Sequence, residues 1–506
     1  MSCPRPCPSK KSGNPASKIA TTTPIKYVVV ICQENHTFDN YFGTYPLAQN
    51  NVGETQFKAR HNTPKVNGFT PGLLINNQNF DNTNTRVNPF RIAPALSTSF
   101  SATFAGLQNS YIRYQQAMDC GLMDKFVKAA QAVGGNNNSM AYFDGNTVTA
   151  LWNYAQYFTL ADNFYCTIAS GSTVGALNLI CGQTTGATAT TTPVTNLVPS
   201  VGSSFETIVN DVDPSGDRSD TGSFTQVIMQ GTSNVGDLLN SRGIPWGWFN
   251  GGFSDSKQSH VGANGALTLD YVPHHQPFQY FPSTANLNHL PPASLSEVGS
   301  AGPANHQYDY NYLFPAAENG NLPSVSFIKA PAYQDGHPNY SSPLMEQPFI
   351  VDTINRLQKL PEWKEMAIFI AWDDAGGWYD HQMPPNSNQS QSTVDALTGV
   401  DQAGTNEPFG NYQGRFGFGL RLPLIAISPW AKENFVDSSI LDHSSIVRFI
   451  EENWTLGQIG NFSFDALSGS VSSMFDFKCY NPRKLFLDTV DGTVKKLKRC
   501  QCSKCK

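Results

Sequence analysis

Short apolar runs alternate with longer amphipathic segments along most of the chain. Five runs have the length of buried strands and cover residues 27–32, 159–164, 324–328, 367–372 and 422–427. Helical periodicity predicts helices over 110–130, 349–360 and 444–453. Near-continuous apolar strands that alternate with helices are typical of a mainly parallel sheet covered on both faces, so the pattern predicts the α/β class.

Polar side chains follow three of the predicted strands at the point where each strand ends. They are Glu34 and Asn35 after the first strand, Asp335 and His337 after the third, and Asp373 and Asp374 after the fourth. Ligands of open parallel sheets bind at the carboxyl ends of the strands. We therefore expect these groups to meet at one rim of the sheet.

Two of these strand ends have the chemistry of a metal site. The adjacent carboxylates of Asp373 and Asp374 repel one another unless a cation lies beside them. Glu34 and Asn35 add a carboxylate and a carbonyl oxygen, which suit a divalent cation. The alternatives are that Glu34 caps the next helix while Asn35 lies in a turn, and that the aspartates form an ordinary acidic turn. Asn35 also begins a glycosylation sequon.

A Gly- and Ser-rich loop before a third apolar segment offers a nucleophile. Ser172 and Thr173 open a helix predicted to reach Cys181, where N-terminal amides favour an anion. Either residue could instead be the helix N-cap. The Gly-x-Ser-x-Gly motif of Ser-His-Asp hydrolases is missing here, so a metal-activated hydroxyl is the better interpretation.

Three histidines lie beside or near Pro or Gly in aromatic-rich loops. His274, His275 and His337 are predicted to hold phosphate oxygens or to protonate a leaving alkoxide. Asp380 and His381 are candidates for a proton relay or for support of the metal ligands. We interpret four other lone histidines as ordinary surface or core residues; these are His61, His260, His289 and His306.

Composition narrows the function classes. Charged residues make up 14% of the chain, and the formal net charge is −6, so a nucleic-acid partner is disfavoured. No apolar stretch approaches the roughly 18 residues of a membrane span. The Asn-, Ser- and Thr-rich composition favours a secreted or particle-associated protein, although the N-terminus has no hydrophobic signal segment.

The same features divide the chain into segments. Residues 1–24 are predicted to be a disordered tail, 25–470 the main domain, and 471–506 an extension with a basic Cys-rich end. The Gly- and Ser-rich stretch 185–270 is predicted to be an insertion or lid.

The ten cysteines fall into two groups. The body cysteines are predicted to be small buried hydrophobic residues; they are Cys32, Cys120, Cys166, Cys181 and Cys479. Cys3, Cys7, Cys500, Cys502 and Cys505 lie in the tails, where disulfides or metal binding are possible but a disordered tail is favoured.

Six segments, in order, resemble the blocks of the phosphoesterase family that includes bacterial non-specific phospholipases C and acid phosphatases. They are residues 25–43, 123–126, 160–164, 372–381, 421–430 and 442–454. The resemblance implies a three-layer, alkaline-phosphatase-like α/β/α sandwich and one divalent cation. The implied metal ligands are Glu34, Asn35, Ser172, Asp373 and Asp374. Ser172 is also the implied nucleophile, and His275 and His337 flank the phosphate.

Two departures from the family pattern bear on the substrate. A family histidine upstream of Met123 has no counterpart in residues 98–114, so its phosphate contact is lost or replaced by Ser or Thr. The Pro-Asn-Arg that follows the nucleophile in the phospholipases is Val174-Gly-Ala here, which weakens the case for choline phospholipids.

The sequence thus predicts metal-dependent hydrolysis of a phosphoric ester through a phosphoserine on Ser172. A phospholipid head group is one candidate substrate. The alternatives are an acid phosphatase acting on small monoesters and a non-catalytic surface or particle protein that retains the fold.

Overall fold

A nine-stranded sheet forms the centre of the computed structural model, which describes residues 13–200, 203–385, 417–461 and 463–499. Its strands are β1 Tyr27–Gln33, β2 Thr159–Tyr165, β3 Trp246–Asn250, β4 Gln307–Asp309, β5 Val325–Lys329, β6 Met366–Trp372, β7 Arg421–Ile427, β8 Phe435–Asp437 and β9 Leu441–Asp442. The strand order is β4-β3-β5-β1-β6-β7-β2-β8, and β9 also pairs with β2.

The sheet is parallel except at β7, which pairs antiparallel with both β6 and β2. At its centre, Ile31 of β1 pairs with Ile328 of β5 on one side and Ile370 of β6 on the other. This register brings the carboxyl ends of the three strands to one edge, as the sequence predicts.

Every residue of β1, β6 and β7 is buried. A strand can be buried along its whole length only where both faces of the sheet are covered, which makes three layers. The predicted α/β class and mainly parallel sheet are confirmed, and all five predicted strands are present within one residue at each end.

Eleven α-helices lie in the described part of the chain: α1 Phe38–Phe42, α2 Pro71–Ile75, α3 Pro94–Ala102, α4 Tyr111–Met118, α5 Phe126–Gln131, α6 Thr149–Tyr157, α7 Ser172–Cys181, α8 Val235–Ser241, α9 Leu313–Glu318, α10 Pro343–Leu357 and α11 His443–Trp454. The helix predicted over 110–130 is broken into α4 and α5, because Asp119 has a left-handed backbone with φ 47°. Such a residue cannot continue a right-handed helix.

The segment 185–270 is only partly a peripheral insertion. Its first part forms a separate five-stranded sheet from Thr185–Ala189, Leu197–Pro199, Glu206–Ile208, Asp213–Pro214 and Gln226–Met229. Its second part contains β3, which lies between β4 and β5 in the central sheet. The prediction of one continuous insertion was therefore wrong at β3, whose Trp-Gly-Trp-Phe-Asn sequence lacks β-branched residues.

Both ends of the described chain pack on the body. Asn14 is buried, and its side-chain amide donates to Leu322 O at 2.8 Å, so the predicted disorder of 1–24 fails from residue 13 onward. The hairpin of Arg483–Leu487 and Val494–Arg499 buries Leu485 and Leu487. Leu485 O accepts a hydrogen bond at 2.7 Å from the side chain of Gln358, the residue that follows α10. We accordingly expect this hairpin to contribute to stability.

The body cysteines divide into two kinds. Cys32, Cys166 and Cys181 are buried free thiols, as predicted. Cys479 is disulfide-bonded, so its interpretation as a simple hydrophobic residue was wrong. The tail cysteines and the Cys120 side chain lie outside what the structure describes. In the described part of the chain, every helix falls short of the length and apolar character that crossing a bilayer requires.

Candidate active site

The turn after β1 carries two buried polar side chains, Glu34 and Asn35. Asn35 has φ 56°, a left-handed conformation that asparagine tolerates better than most residues. Its backbone N–H points to Asp373 Oδ1 at 3.4 Å. Thr37 caps α1, accepting from Asn40 N at 3.2 Å, so the alternative in which Glu34 caps this helix was wrong. Asn35 is 1% exposed, which also excludes it as a glycosylation site of the folded chain.

The turn after β6 carries Asp373 and Asp374, both buried. Asp374 Oδ1 accepts from the N–H of Gly376 at 2.6 Å. Gly376 has φ 59°, and a Cβ there would lie 2.2 Å from Asn35 O, so only glycine fits between the two turns. Oxygen atoms of Glu34, Asp373 and Asp374 come within 4.8 Å of one another, although 338 residues separate the two turns in sequence.

The hydroxyl of Ser172, the first residue of α7, points into this acidic group. Ser172 Oγ lies 3.0 Å from Glu34 Oε2 and 2.8 Å from Asp374 Oδ2. The side-chain amide of Asn35 lies 3.5 Å from the same hydroxyl. Three of the predicted metal ligands therefore surround the hydroxyl of a fourth, Ser172, and the fifth, Asp373, lies beside Glu34 and Asp374.

Neither Ser172 nor Thr173 caps α7, so the alternative in which one of them is the N-cap was wrong. The N-cap position is Gly171, and the Thr173 N–H instead donates to Asp211 Oδ1 at 3.0 Å. Thr173 Oγ1 donates to Val212 O at 3.2 Å. The peripheral sheet thus supplies the cap of the helix that carries Ser172.

The predicted histidines lie beside the acidic group, at different depths. His275 is buried with Nδ1 3.1 Å from Glu34 Oε1. His274 Nδ1 lies 3.4 Å from Asp213 Oδ1. His337 stacks on Tyr340 with ring centroids 4.4 Å apart, and burial lowers the pKa of His337 to about 4. His275 is therefore the histidine in direct contact with a predicted metal ligand.

Sequence reasoning left three residues of the centre without an assignment. Lys329, the last residue of β5, contacts Glu34 Oε1. Asp335 lies 3.9 Å from His275 Nδ1. Asn109 donates to Asp374 Oδ2 at 2.9 Å, and it lies in the stretch where Ser or Thr was expected to replace the family histidine. The sequence did contain a signal for two of them. Lys329 is a polar residue directly after a predicted strand, and Asp335 is an acidic residue in the loop that follows the same strand.

The centre concentrates buried negative charge. Burial raises the pKa of Glu34 to about 7, against the effect of the Lys329 ammonium. Burial also raises the pKa values of Asp373 and Asp374 well above their usual range, and neighbouring carboxylates add to both shifts. Burial alone would lower the pKa of Lys329, but the surrounding acids, Glu34 first, raise it. One ammonium thus faces several carboxylates.

These residues fit a divalent cation. Two buried oxygens, Asn35 Oδ1 and Asp373 Oδ2, accept no hydrogen bond from any residue that the structure describes, although a buried acceptor is costly to leave unpaired. Carboxylate and amide oxygens are ligands that hard divalent cations prefer. A cation held by Glu34, Asn35, Asp373 and Asp374 would satisfy both oxygens and offset the charge.

Asp380 and His381, the proposed relay or supporting pair, lie in a second buried charged cluster. His381 Nδ1 lies 2.6 Å from Asp39 Oδ2. Arg421, at the start of β7, contacts Asp39 Oδ1 at 3.1 Å and Asp380 Oδ1 at 2.9 Å. Because the arginine already pairs with both carboxylates, this cluster ties α1, β7 and the turn after β6 together.

The site thus combines a buried serine hydroxyl with acidic side chains at the strand ends of an α/β sheet. The sequence profile described as the Phosphoesterase family matches residues 25–457. The chain belongs to this family, which confirms the resemblance carried by its six motif segments.

The individual relatives found by sequence comparison have low sequence identity to this chain. A non-hemolytic phospholipase C of Pseudomonas aeruginosa is 25% identical over 470 residues, covering 90% of this chain and 57% of the relative. A second, from Burkholderia pseudomallei, is 24% identical over 86% of this chain and 56% of the relative. Phospholipase C A of Mycobacterium tuberculosis is 21% identical over 90% of this chain and 78% of the relative. The chain thus spans little more than half the length of the first two.

Among solved structures, a protein of the alkaline phosphatase superfamily from Vibrio parahaemolyticus matches 79% of this chain and 84% of its own. Its sequence identity is 11% and its TM-score 0.31.

Proposed function

We propose that this protein is a phospholipase C-like hydrolase of phosphoric esters that works through a phosphoserine on Ser172. The observation that carries the proposal is the position of Ser172 Oγ, 3.0 Å from Glu34 Oε2 and 2.8 Å from Asp374 Oδ2. A buried serine hydroxyl at the start of a helix, surrounded by proton acceptors, has the surroundings of a nucleophile.

In the first step Ser172 attacks phosphorus, and neighbouring residues of the chain assist this attack. Asp374 or Glu34 holds the proton of Ser172 as the Oγ–phosphorus bond forms and the bond to the leaving oxygen breaks. The N-terminal amides of α7 favour the negative charge on the hydroxyl oxygen. Asn35 orients the same oxygen through its side-chain amide.

The second step restores the serine. Water attacks phosphorus, the bond between phosphorus and Ser172 Oγ breaks, and Oγ regains a proton. In both steps His275 and His337 bind equatorial phosphate oxygens, and in the first step one of them donates a proton to the alkoxide that leaves. Lys329 holds Glu34 in place through both steps.

A divalent cation on Glu34, Asn35, Ser172, Asp373 and Asp374 would supply positive charge that favours the serine alkoxide and offsets the phosphate charge. We expect exhaustive chelation to abolish hydrolysis and re-addition of a divalent ion to restore it. Elemental analysis of the purified protein checks the ion directly. An active protein that contains no metal would contradict this part of the proposal.

The substrate class is tested with three chromogenic esters: p-nitrophenyl phosphate, p-nitrophenylphosphorylcholine and bis-p-nitrophenyl phosphate. We expect hydrolysis of the phosphodiesters. Turnover of the monoester alone would favour an acid phosphatase, and turnover of none, with metal present, would favour a non-catalytic protein.

Gly175 provides a separate test of the site geometry. A Cβ at this position of α7 would lie 1.9 Å from Asp373 O, so Gly175→Ala must push α7 away from the turn after β6. A misplacement of about 1 Å costs on the order of 10²-fold in rate, and we expect a fall in kcat/KM of that size.

Gly72→Ala is the matched control for this variant. Among the described residues, a Cβ at Gly72 would have a single neighbour within 4 Å, Thr70 Oγ1 at 3.7 Å, so kcat/KM should not change. Wild-type kinetics for Gly175→Ala would show that Ser172 does not depend on the close approach of α7 to Asp373.

A further inference from the structure

Two groups of potential metal ligands overlap at the centre. One consists of Glu34, Asp373 and Asp374, and the other of Glu34, His275 and Asp335. In each group one ligand atom from every residue lies within 4.8 Å of the others. By donor chemistry alone, either group or both together could hold a cation.

The two carboxylate oxygens of Glu34 face different sides of the centre. Oε2 accepts from Ser172 Oγ at 3.0 Å, on the side of Asp374. Oε1 faces His275 Nδ1 at 3.1 Å and contacts the ammonium of Lys329. Glu34 therefore presents one oxygen to the nucleophile and the other to the lysine.

The fold fixes Lys329 in this position. It ends β5, where it pairs with Cys32 of β1 and Asn250 of β3, and it is 1% exposed. Its ammonium lies 3.9 Å from Asp373 Oδ2 in addition to its contact with Glu34 Oε1. A lysine is seldom buried this completely unless acidic groups pair with it.

We propose that the Lys329 ammonium takes the place of a second metal ion, so that the centre holds one divalent cation, on the Ser172 side. The inference rests on the proposed function only in requiring that first cation. A cation bound to Glu34 Oε1 would lie within a few ångströms of the ammonium, where like charges repel strongly in a buried site. The lysine is covalently attached, so this exclusion is permanent.

The proposal makes Lys329 a positioning residue that sets metal stoichiometry. It holds Glu34 Oε1 with one positive charge and leaves Oε2 to the nucleophile side. Removing the ammonium leaves His275 and Asp335 beside a carboxylate oxygen that has lost its cation. Those three residues then form a free ligand group with a net negative charge.

The test is manganese binding to the full-length protein and to Lys329→Met, measured by equilibrium dialysis and electron paramagnetic resonance. We expect one equivalent of Mn²⁺ and the spectrum of an isolated ion for the wild type. For Lys329→Met we expect two equivalents and an exchange-coupled spectrum, because paired metal sites lie about 3.5–4 Å apart. Adding Asp335→Asn to Lys329→Met should return the count to one.

Two further variants serve as controls. Lys329→Arg keeps the charge and should bind one equivalent. Lys495→Met removes a lysine that is 60% exposed on the C-terminal hairpin and should behave as the wild type.

The possible failures are distinguishable. Two equivalents in the wild type, or one in Lys329→Met with wild-type affinity, would overturn the inference and leave the proposed function intact. No manganese binding by the wild type would overturn both. A Lys329→Met protein that does not fold at any manganese concentration would also count against the inference, since the second ion should replace the lost charge.

Discussion

Replacing Ser172 by Ala should abolish turnover while the fold remains intact. The substitution removes the only hydroxyl that contacts both Glu34 Oε2 and Asp374 Oδ2 among the described residues. Loss of a catalytic nucleophile lowers kcat by several orders of magnitude, on the order of 10⁴-fold or more. Steady-state kinetics on the best of the three p-nitrophenyl esters measures the loss.

Covalent trapping identifies the nucleophile independently of the rate. Brief incubation with substrate, an acid quench and peptide mass mapping should place one phosphate on Ser172. Thr173→Ala is the control: the Thr173 hydroxyl donates to Val212 O, so the label should persist in this variant. A phosphate found on Thr173, or a fully active Ser172→Ala protein, would refute the assignment.

Arg421→Met should produce the largest loss of stability of any single substitution considered for this chain. The side chain is fully buried and pairs with Asp39 at 3.1 Å and Asp380 at 2.9 Å. It also donates to Asn67 O and Asp162 O. Removing one partner of a buried ion network leaves uncompensated charge and costs about 3–5 kcal/mol. Denaturant unfolding measures the change.

Two further variants show how much of the loss in the free energy of unfolding comes from the unpaired buried charge. Adding Asp380→Asn to Arg421→Met removes one of the stranded carboxylates and should recover part of the lost free energy of unfolding. Lys495→Met, which removes an exposed partner of Asp488, should cost less than about 1 kcal/mol. A change below about 1 kcal/mol for Arg421→Met would mean that the buried cluster contributes little to stability.

The sequence predicts the central sheet well because its inner strands are buried on both faces. A run such as Val28-Val-Val-Ile31 has to be apolar at every position, so its signal is strong. The edge strand β4 and its neighbour β3 carry a weaker signal. Gln307–Asp309 is three residues long and polar at both ends, and β3 contains a glycine, so both were missed.

The sequence predicts those residues of the candidate site that come directly after an apolar strand. Glu34, Asn35, Asp373 and Asp374 fit that rule, and the central register brings them together. Lys329 fits it too, but a single lysine after a strand has no sequence signature that distinguishes it from a solvated one. Asp211 is harder still, because its contact with α7 depends on how the peripheral sheet docks.

The contact between the peripheral sheet and α7 also limits how this protein can be re-engineered. Asp211 caps the nucleophile helix and Val212 accepts from Thr173, so the segment is a structural support and cannot be cut out as a lid. A chimaera that exchanges the outer strands with those of a relative should keep Ser172 in place only if residues 211–212 are retained. Loop grafting to change the substrate range is therefore best confined to the strands on either side of that segment.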